Sequence, residues 1–439
     1  MIAGNNNIEL LDFSAISNGS QNITSPLVFT FNKDVTSLVT GFELLVGSVN
    51  ISGTETYNLS GDGLTLSVLN FTNVDVSTAK NFILRANVPS ATSTDNFIVT
   101  LASAGLNPSP GIIEPFTAFT NTVSITALGV NITQNTDTNS AIAGTTNIEL
   151  LDFNALSNGT QNLVSPMAFN FSADITSVLE NFEVQVGGAA LGGTPVYTLS
   201  NGGQTVTVTG FNPIDVSTSK NLILYADVDG NASDASDFNV TLATAGLAAS
   251  PGIVNSFTTL SNSVDITSLK VSITQNTDTN TAIAGTTNIE LLDFAALSNG
   301  TQNLVSPMVF NFSADITSVL ENFEVQVGGV ALGGTPVYTL SNGGQTLTVT
   351  GFTPIDVSSS KNLILYADVD GNASDASDFN ITLATAGLAA SPGIINSFTT
   401  LSNTVDITSL KVSITQNTDT NTAIAGTTNI ELLDFNALS

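Results

Sequence analysis

The sequence predicts an all-β chain made of antiparallel β-sandwich domains in a linear array. The string Glu-Leu-Leu-Asp-Phe starts at Glu9, Glu149, Glu290 and Glu431, so the chain repeats with a period of 140 to 141 residues. Large apolar residues alternate with polar ones inside each repeat, and no segment sustains the 3.6-residue period of a helix. The period has the length of a whole domain, since solenoid units are about 20–50 residues long.

The repeat predicts four domains with bounds at 1–130, 131–270, 271–410 and 411–439. Residues 141–281 and 282–422 differ at nine positions and are near copies of each other. The first domain is expected to lack its first strand, and the last piece is expected to hold only the first strands of a fourth repeat. Two explanations fit that piece: the sequence is an excerpt of a longer array, or the orphan strands complete a domain of the next molecule by strand addition.

Period-two alternation locates the strands of one repeat. In the second repeat it predicts strands over 147–153, 167–172, 182–186, 196–199, 204–209, 221–228, 238–242 and 264–273. Clusters rich in Gly, Asn, Asp and Pro separate them, such as Asn201-Gly202-Gly203. Short strands at this spacing are typical of a sandwich whose core contains the alternating large residues. These core residues include Met167, Phe169, Phe171 and Phe238.

The composition excludes several classes of function. The chain has no His, Cys or Trp, so imidazole bases, thiolate nucleophiles, Cys/His zinc sites and disulfides are excluded. Its 7 Lys and Arg against 36 Asp and Glu give a net charge of -29, which disfavours nucleic acid and anionic lipid. No apolar run is long enough to insert into a membrane.

A carbohydrate-active enzyme is the rival function from a different class. Two carboxylates suffice for glycoside hydrolysis, and Glu149 and Glu183 are the pair that such an enzyme could use. Strand alternation instead predicts that Glu183 faces solvent beside Gln185. We therefore expect no enzymatic activity and no catalytic residues.

The repeat resembles a known class of surface domain. It begins with Ala-Gly-Thr-Thr-Asn-Ile-Glu-Leu-Leu-Asp-Phe at 143–153, continues through Lys-Asn-Leu-Ile-Leu-Tyr-Ala-Asp-Val at 220–228, and ends in a Thr- and Asn-rich stretch. This pattern is similar to tandem Ig-like β-sandwich repeats of very large bacterial cell-surface proteins, which include adhesins, stalks, filaments and surface layers. The resemblance covers the whole chain and implies Ig-like sandwiches.

The resemblance also implies a role outside the cell. We expect a structural extracellular repeat protein that forms a rod, filament or sheath at a cell surface. The alternative is the repetitive stalk of a cell-surface adhesin. The expected partner is the chain itself, in head-to-tail or lateral assembly, with surface glycans or other cells as further partners.

Calcium is the one cofactor that the sequence suggests. Closely spaced oxygen ligands occur on a turn after the 221–228 strand and recur one repeat later, and Ca²⁺ accepts six to eight such ligands. The other interpretation is an Asp-Gly hairpin turn with solvated acids. The first repeat has Asn87-Val88-Pro89 at the start of this stretch, which weighs against a general metal role. The candidate ligands are Asp227, Asp229, Asn231, Asp234, Asp237, Asp368, Asp370, Asn372, Asp375 and Asp378.

Two further motifs have competing interpretations. The stretch Thr-Gln-Asn-Thr-Asp-Thr-Asn at 274–280, with copies around Asp137 and Asp419, is predicted to be a polar connector between domains, and its carboxylate is a weaker calcium candidate. Lys80, Lys220 and Lys361 precede equivalent strands and are interpreted as guards against edge pairing.

Overall fold

The computed structural model describes residues 1–418, 422 and 433–438. Within them, three separate buried clusters span Ala3 to Leu128, Val130 to Leu269 and Val271 to Ile407. We therefore refer to 1–128, 129–269 and 270–410 as repeats 1, 2 and 3. None of the described helices is long and apolar enough to cross a membrane.

Repeat 1 contains twelve strands and a short 3₁₀ helix at Ser103–Gly105. Strands β1 to β12 are Ile8–Ala15, Asn22–Thr24, Leu27–Phe31, Thr40–Val46, Val49–Asn50, Gly53–Leu59, Thr65–Phe71, Val74–Asp75, Lys80–Asn87, Asp95–Leu101, Asn107–Ser109 and Phe119–Ile125. They form sheets in the orders β1-β9-β4-β5, β12-β10-β3-β7-β6 and β11-β2-β8.

Repeat 2 has the same plan with added strands and a 3₁₀ helix at Thr244–Gly246. Strands β13 to β27 are Gly129–Gln134, Ser140–Ile142, Ile148–Ser157, Asn162–Val164, Met167–Phe171, Leu179–Val186, Ala189–Ala190, Gly193–Ser200, Thr205–Phe211, Ile214–Asp215, Lys220–Val228, Phe238–Leu242, Ala248–Ser250, Ile253–Val254 and Leu260–Thr267. The two large sheets run β19-β18-β23-β15-β13-β26 and β14-β27-β24-β17-β21-β20, with a small sheet β22-β16-β25.

Repeat 3 reproduces repeat 2, with a 3₁₀ helix at Thr385–Gly387. Strands β28 to β42 are Lys270–Gln275, Thr281–Ile283, Ile289–Ser298, Asn303–Val305, Met308–Phe312, Leu320–Val327, Val330–Ala331, Gly334–Ser341, Thr346–Phe352, Ile355–Asp356, Lys361–Val369, Phe379–Leu383, Ala389–Ser391, Ile394–Ile395 and Leu401–Thr408. Its sheets have the equivalent orders, and a separate hairpin pairs β43 (Ser413–Gln416) with β44 (Phe435–Leu438).

The chain is thus an all-β array of tandem β-sandwich repeats whose sheets are mainly antiparallel, as the alternation predicts. Met167, Phe169, Phe171 and Phe238 are all buried, which confirms their place in the core. Alternation works here because successive side chains of a strand point to opposite faces, and only one face meets the other sheet.

The predicted strand over 264–273 is wrong as a single element. The structure ends β27 at Thr267, begins β28 at Lys270, and places the two strands in different repeats. The apolar alternation changes phase at the boundary, where Thr267 and Ser268 lie between the buried residues Ile266 and Leu269.

The polar stretch at 274–280 is not a connector between domains. It joins β28 to β29, which lie in different sheets of the same repeat. The copy at 133–139 does the same between β13 and β14, whereas the copy around Asp419 lies outside the described residues. In the copy at 133–139, the Asp137 carboxylate accepts the backbone N–H of Asp152 and a side-chain N–H of Gln134. The motif therefore holds the first strand to its own domain.

The interpretation of the lysines as edge guards is also wrong. Lys220 begins β23, which lies between β15 and β18 in the middle of its sheet. The exposed outer strand of the other sheet is β20, where Pro195 lacks a backbone N–H and the register shifts between Gly193 and Val196. A proline and an irregular register both disfavour pairing with another strand.

Candidate functional site at the joints between repeats

Consecutive repeats are joined by almost no linker. Residues 126–128 separate β12 from β13, and only Ser268 and Leu269 separate β27 from β28. A connection this short cannot act as a flexible tether, because a coil needs several residues to take up different directions. The orientation of each repeat on the next therefore depends on direct contacts, and the leucine, asparagine and carbonyl contacts recur at both joints.

A leucine at the end of each repeat forms the apolar part of the joint. Leu128 and Leu269 are buried, with Leu269 only 1% exposed, whereas the equivalent Leu410 is 64% exposed. Leu269 and Leu410 lie against Gly144 and Gly285 of their own repeats in the same way. The difference in exposure therefore comes from the following repeat, which covers Leu269.

A glycine on the following repeat makes room for that leucine. A Cβ at Gly300 would lie 2.7 Å from Leu269 Cδ1, and one at Gly159 would lie 2.8 Å from Leu128 Cδ1. At Gly19, the equivalent position of repeat 1, a Cβ would meet nothing within 4 Å. The Ser-Asn-Gly turn thus provides a seat for the leucine in repeats 2 and 3.

The asparagine of the same turn binds the backbone on both sides of the joint. Asn299 Oδ1 accepts the N–H of Lys270 at 2.8 Å, and its Nδ2 donates to the Ser268 carbonyl at 3.0 Å. Asn158 makes the same two bonds to Gly129 and Ala127, at 3.0 and 2.9 Å. One side chain therefore fixes the last residues of one repeat and the first residue of the next.

The leucine carbonyl contributes a further bond. The Leu269 carbonyl oxygen accepts the N–H of Ile394 at 3.0 Å, and the Leu128 carbonyl oxygen accepts that of Ile253 at 3.2 Å. Gly393 has a φ of +80° and a Cβ there would lie 2.4 Å from the Leu269 oxygen, so glycine is required for this approach. Side-chain packing and backbone hydrogen bonds thus act at the same place.

Residues of the loop after β23 add contacts near the second joint. Gly230 lies against Pro392 of repeat 3, and Asn231 Oδ1 is 3.5 Å from the Gly393 nitrogen. Asp234 forms an ion pair with Lys270 at 2.5 Å and accepts the N–H of Ser268 at 2.7 Å. The Lys270 ammonium and then Ser268 lower the pKa of Asp234 to about 2. The first joint has Gly129 at the lysine position and lacks this ion pair, whereas Asp375 and Lys411 form the equivalent pair at the end of repeat 3.

The structure distributes the predicted calcium ligands over several contacts. Asp227 accepts the Asn147 N–H and the Asn181 amide, Asp229 accepts the Asn231 N–H, and Asp237 accepts the Ile266 N–H. Equivalent bonds recur in repeat 3. Asp368 accepts hydrogen bonds from Asn288 and Asn322, and Asp370 accepts them from the N–H and the side-chain amide of Asn372. Asp378 accepts the N–H of Ile407. Asp375 accepts the N–H of Ser409 and forms an ion pair with Lys411. Each carboxylate therefore holds a different backbone segment.

These ten residues do not converge on one point. Over the part of the chain that the structure describes, no group of three acidic side chains is close enough to hold a metal ion. The Asp-Gly hairpin interpretation is wrong, because β23 and β24 belong to different sheets and the loop crosses between them. Calcium binding stays a prediction, and melting the protein with and without chelator tests it, since a stabilising ion raises the midpoint.

The carboxylates of the rival enzyme hypothesis lie on an open sheet face. Glu149 and Glu183 both pair with Tyr225, from β15 and β18 on its two sides, and all three side chains are half-buried. Burial raises the pKa of Glu149, with smaller contributions from the charges of Asp152 and Asp137. A tyrosine thus separates the two carboxylates across the surface of the sheet.

Sequence reasoning missed the joint residues. Ser157-Asn158-Gly159 is visible in the sequence only as a turn signal, and Leu269 as part of a strand. The signal that identifies them is their recurrence. Ser-Asn-Gly followed by Ser or Thr and then Gln begins at 17, 157 and 298, and a leucine precedes each Val-X-Ile-X-Gln at 128, 269 and 410 with one residue between. Recurrence alone does not show that the two motifs meet.

Comparisons with known proteins give only distant matches. No family model and no curated protein matches the chain. An I-band fragment from titin matches 93% of this chain and 94% of its own length, at 9% identity and a TM-score of 0.22. The C-terminal domain of the Streptococcus agalactiae AgI/II polypeptide BspA matches 63% of this chain and 99% of its own length, at 10% identity and a TM-score of 0.21.

A third match has a similar level of likeness. Cadherin-like domains 1 to 4 of zebrafish RET match 86% of this chain and 66% of their own length, at 8% identity and a TM-score of 0.22. At these scores, the description of the fold rests on the strand order and buried clusters of the chain itself.

Proposed function

We propose that this chain is a structural repeat protein that forms a rod at a cell surface, and that its joints fix the orientation of each repeat on the next. The observation that supports this most directly is the repeated joint, where a leucine, an asparagine and a carbonyl of identical position bind across the boundary. A chain that served only to tether would need no such contacts. Duplication of the unit then lengthens the rod without altering the joint.

The same reasoning supports a role without catalysis. The chain has no imidazole or thiol, and its half-buried glutamates lie on an open face with a tyrosine between them. Glycoside hydrolysis needs two carboxylates about 5–10 Å apart on either side of a bound sugar. A cavity of about 560 Å³ beside Glu149 is lined by Tyr225 but not by Glu183, so the two carboxylates do not face each other across it.

The rod is tested by small-angle X-ray scattering of the purified chain. A strand residue advances about 3.3 Å, so a sandwich is roughly 40–50 Å long and three in line extend on the order of 150 Å. We expect a maximum dimension of this order for the monomer. An Asn158→Ala, Asn299→Ala double variant is expected to show a broader distribution of dimensions, with Asn18→Ala, at the equivalent position of repeat 1, as the matched control. A compact particle, or identical profiles for all three proteins, would contradict the proposal.

Localisation is tested on cells that make the protein. An antibody against repeat 3 is expected to label intact cells, and external protease is expected to remove the signal. Labelling only after permeabilisation would contradict a surface role. In electron micrographs, ordered fibres favour a filament and isolated threads favour the stalk of an adhesin.

A further inference from the structure

An open cavity lies at one corner of repeat 2, where the chain passes from β14 in one large sheet to β15 in the other. Its volume is about 560 Å³, which is within the roughly 300–1,000 Å³ of sites that bind small molecules. Its walls include β14, residues 145–149 and Tyr225 of β23. All of the lining residues belong to repeat 2, so a single domain forms the cavity.

Uncharged polar side chains make up most of the lining. Five Ser or Thr hydroxyls, the Asn147 amide and the Tyr225 hydroxyl surround the cavity. Glu149 provides a carboxylate, and no Lys or Arg is among the described lining residues. Ile142 adds apolar surface to the same wall. The cavity is therefore polar and rich in groups that both donate and accept hydrogen bonds.

The polar groups of the cavity are not engaged by the fold. Within the described part of the chain, the side chains of Glu149, Tyr225 and Asn147 form no hydrogen bond or ion pair. By contrast, Glu183 on the other side of the tyrosine accepts a hydrogen bond from Gln185 at 3.0 Å. Burial removes water from the Glu149 carboxylate and raises its pKa. Hydrogen bonds from a ligand would replace the water that this carboxylate has lost.

This combination of groups matches a neutral sugar. A carboxylate accepts hydrogen bonds from two adjacent hydroxyls of a pyranose, and Ser and Thr hydroxyls donate or accept as the remaining hydroxyls require. The ring of Tyr225 provides an apolar face for the C–H groups of the sugar. An anion is disfavoured, because Asp137 and Asp152 add negative potential at Glu149 and the lining contains no cation. A simple cation would use the carboxylate and leave most of the hydroxyls without a partner.

The main groups of the cavity recur in repeat 3 and change in repeat 1. Glu290 and Tyr366 are cross-strand partners, as Glu149 and Tyr225 are. The Thr-Thr-Asn-Ile-Glu segment that lines the cavity is identical in repeats 2 and 3. In repeat 1, the residue at the position of the tyrosine is Arg85. Repeat 1 therefore lacks the aromatic face that a sugar would contact.

We propose that the cavity beside Glu149 binds a neutral pyranose sugar, and that the equivalent residues of repeat 3 form a second site of the same kind. Glu149 accepts two sugar hydroxyls, Tyr225 packs against the ring, and the Ser and Thr hydroxyls bind the rest of its edge. The sugar is bound and not cleaved, because hydrolysis needs a second carboxylate and Glu183 lies outside the cavity. This inference goes beyond the proposed rod, since one repeat forms each site.

Saturation-transfer difference NMR of the full chain tests the site, with the methyl glycosides of glucose, galactose, mannose and N-acetylglucosamine as probes. We expect saturation transfer to at least one of them. Glu149→Gln combined with Glu290→Gln is expected to weaken its affinity about tenfold, because hydrogen bonds to a charged group are stronger than those to a neutral one. Glu183→Gln combined with Glu324→Gln is the matched control, since it changes the glutamates on the other side of the same tyrosines. The control is expected to bind as the unaltered chain does.

Tyr225→Arg combined with Tyr366→Arg gives a second test. Arginine already occupies this position in the fold of repeat 1, so we expect the variant to keep its circular dichroism spectrum and to lose sugar binding. Absence of saturation transfer to all four glycosides, or equal affinity in the chain with Glu149→Gln and Glu290→Gln, would overturn the proposal. Binding of methylguanidinium in place of the glycosides, lost at high salt, would also overturn it and would identify a cation site.

The outcome is independent of the rod. Scattering of the unaltered chain tests the rod by its maximum dimension, and the glycosides test the cavity. A flexible chain that binds a glycoside contradicts the proposed function alone, and an extended chain that binds none contradicts this inference alone.

Discussion

The joint leucine gives the most quantitative prediction. Leu269 is 1% exposed and Leu410 is 64% exposed, although both contact their own repeats in the same way. Burying a whole leucine side chain contributes about 1.5–3 kcal/mol, so covering the roughly two thirds that repeat 3 adds contributes about 1–2 kcal/mol. Truncating Leu269 also leaves a cavity, which adds to the loss.

The comparison is Leu269→Ala against Leu410→Ala, each made singly in the full 439-residue chain. Calorimetry of the full chain measures the unfolding midpoints. We expect Leu269→Ala to lower the affected midpoint by about 3–8 °C more than Leu410→Ala does, because about 1–2 kcal/mol shifts a domain of this size by that amount. Since the leucines differ only in what the next repeat covers, the difference isolates the joint.

Equal decreases in the midpoint for the two variants would contradict a stabilising joint. They would place the contribution of each leucine within its own repeat, with no added free energy from the contact between Leu269 and repeat 3.

Three further predictions follow from other contacts. Gly300→Val is expected to weaken the second joint and broaden the distribution of inter-repeat distances measured by spin labels, while Gly19→Val leaves both internal joints unchanged; equal distributions would contradict the seat. Tyr338→Phe removes the hydroxyl that accepts the buried Val325 N–H at 2.9 Å, so we expect a loss of about 1–3 kcal/mol in the unfolding free energy of repeat 3. A lowered carboxyl pKa in the folded state gives stability that is present above the unfolded pKa and lost as pH falls through the folded value. Asp234→Asn should therefore remove a stability increment at neutral pH and weaken the drop between pH 3.8 and about 2, and an unchanged acid profile would count against the ion pair.

Much of the fold follows from the sequence because its causes are local. Alternation fixes which face of a strand is apolar, and Met167, Phe169 and Phe171 are buried as expected. Alternation cannot show where one sheet ends and another begins, and for that reason 264–273 looks like a single strand. The break at Ser268 and Leu269 depends on contacts with the next repeat, and the local pattern does not contain those contacts.

The candidate site is harder to predict from the sequence because its contacts join residues that are distant in the chain. Asp227, Asp229 and Asp237 are close in the chain, yet each carboxylate accepts a hydrogen bond from a different segment. Spacing along a loop does not give the direction of a side chain when the loop crosses between sheets. Gly159 and Leu128 are 31 residues apart in the sequence, and only their contact reveals a joint.

The proposed rod requires adjacent repeats to be held in one orientation, and a distance measurement between spin labels tests this requirement. The chain has no cysteine, so Val196→Cys and Val337→Cys place one label on the equivalent exposed position of repeats 2 and 3 without competing thiols. Pulsed electron paramagnetic resonance of the doubly labelled chain is expected to give a single narrow distance, broadened when Asn299→Ala is added. A broad distribution in the chain with an intact joint would contradict the account.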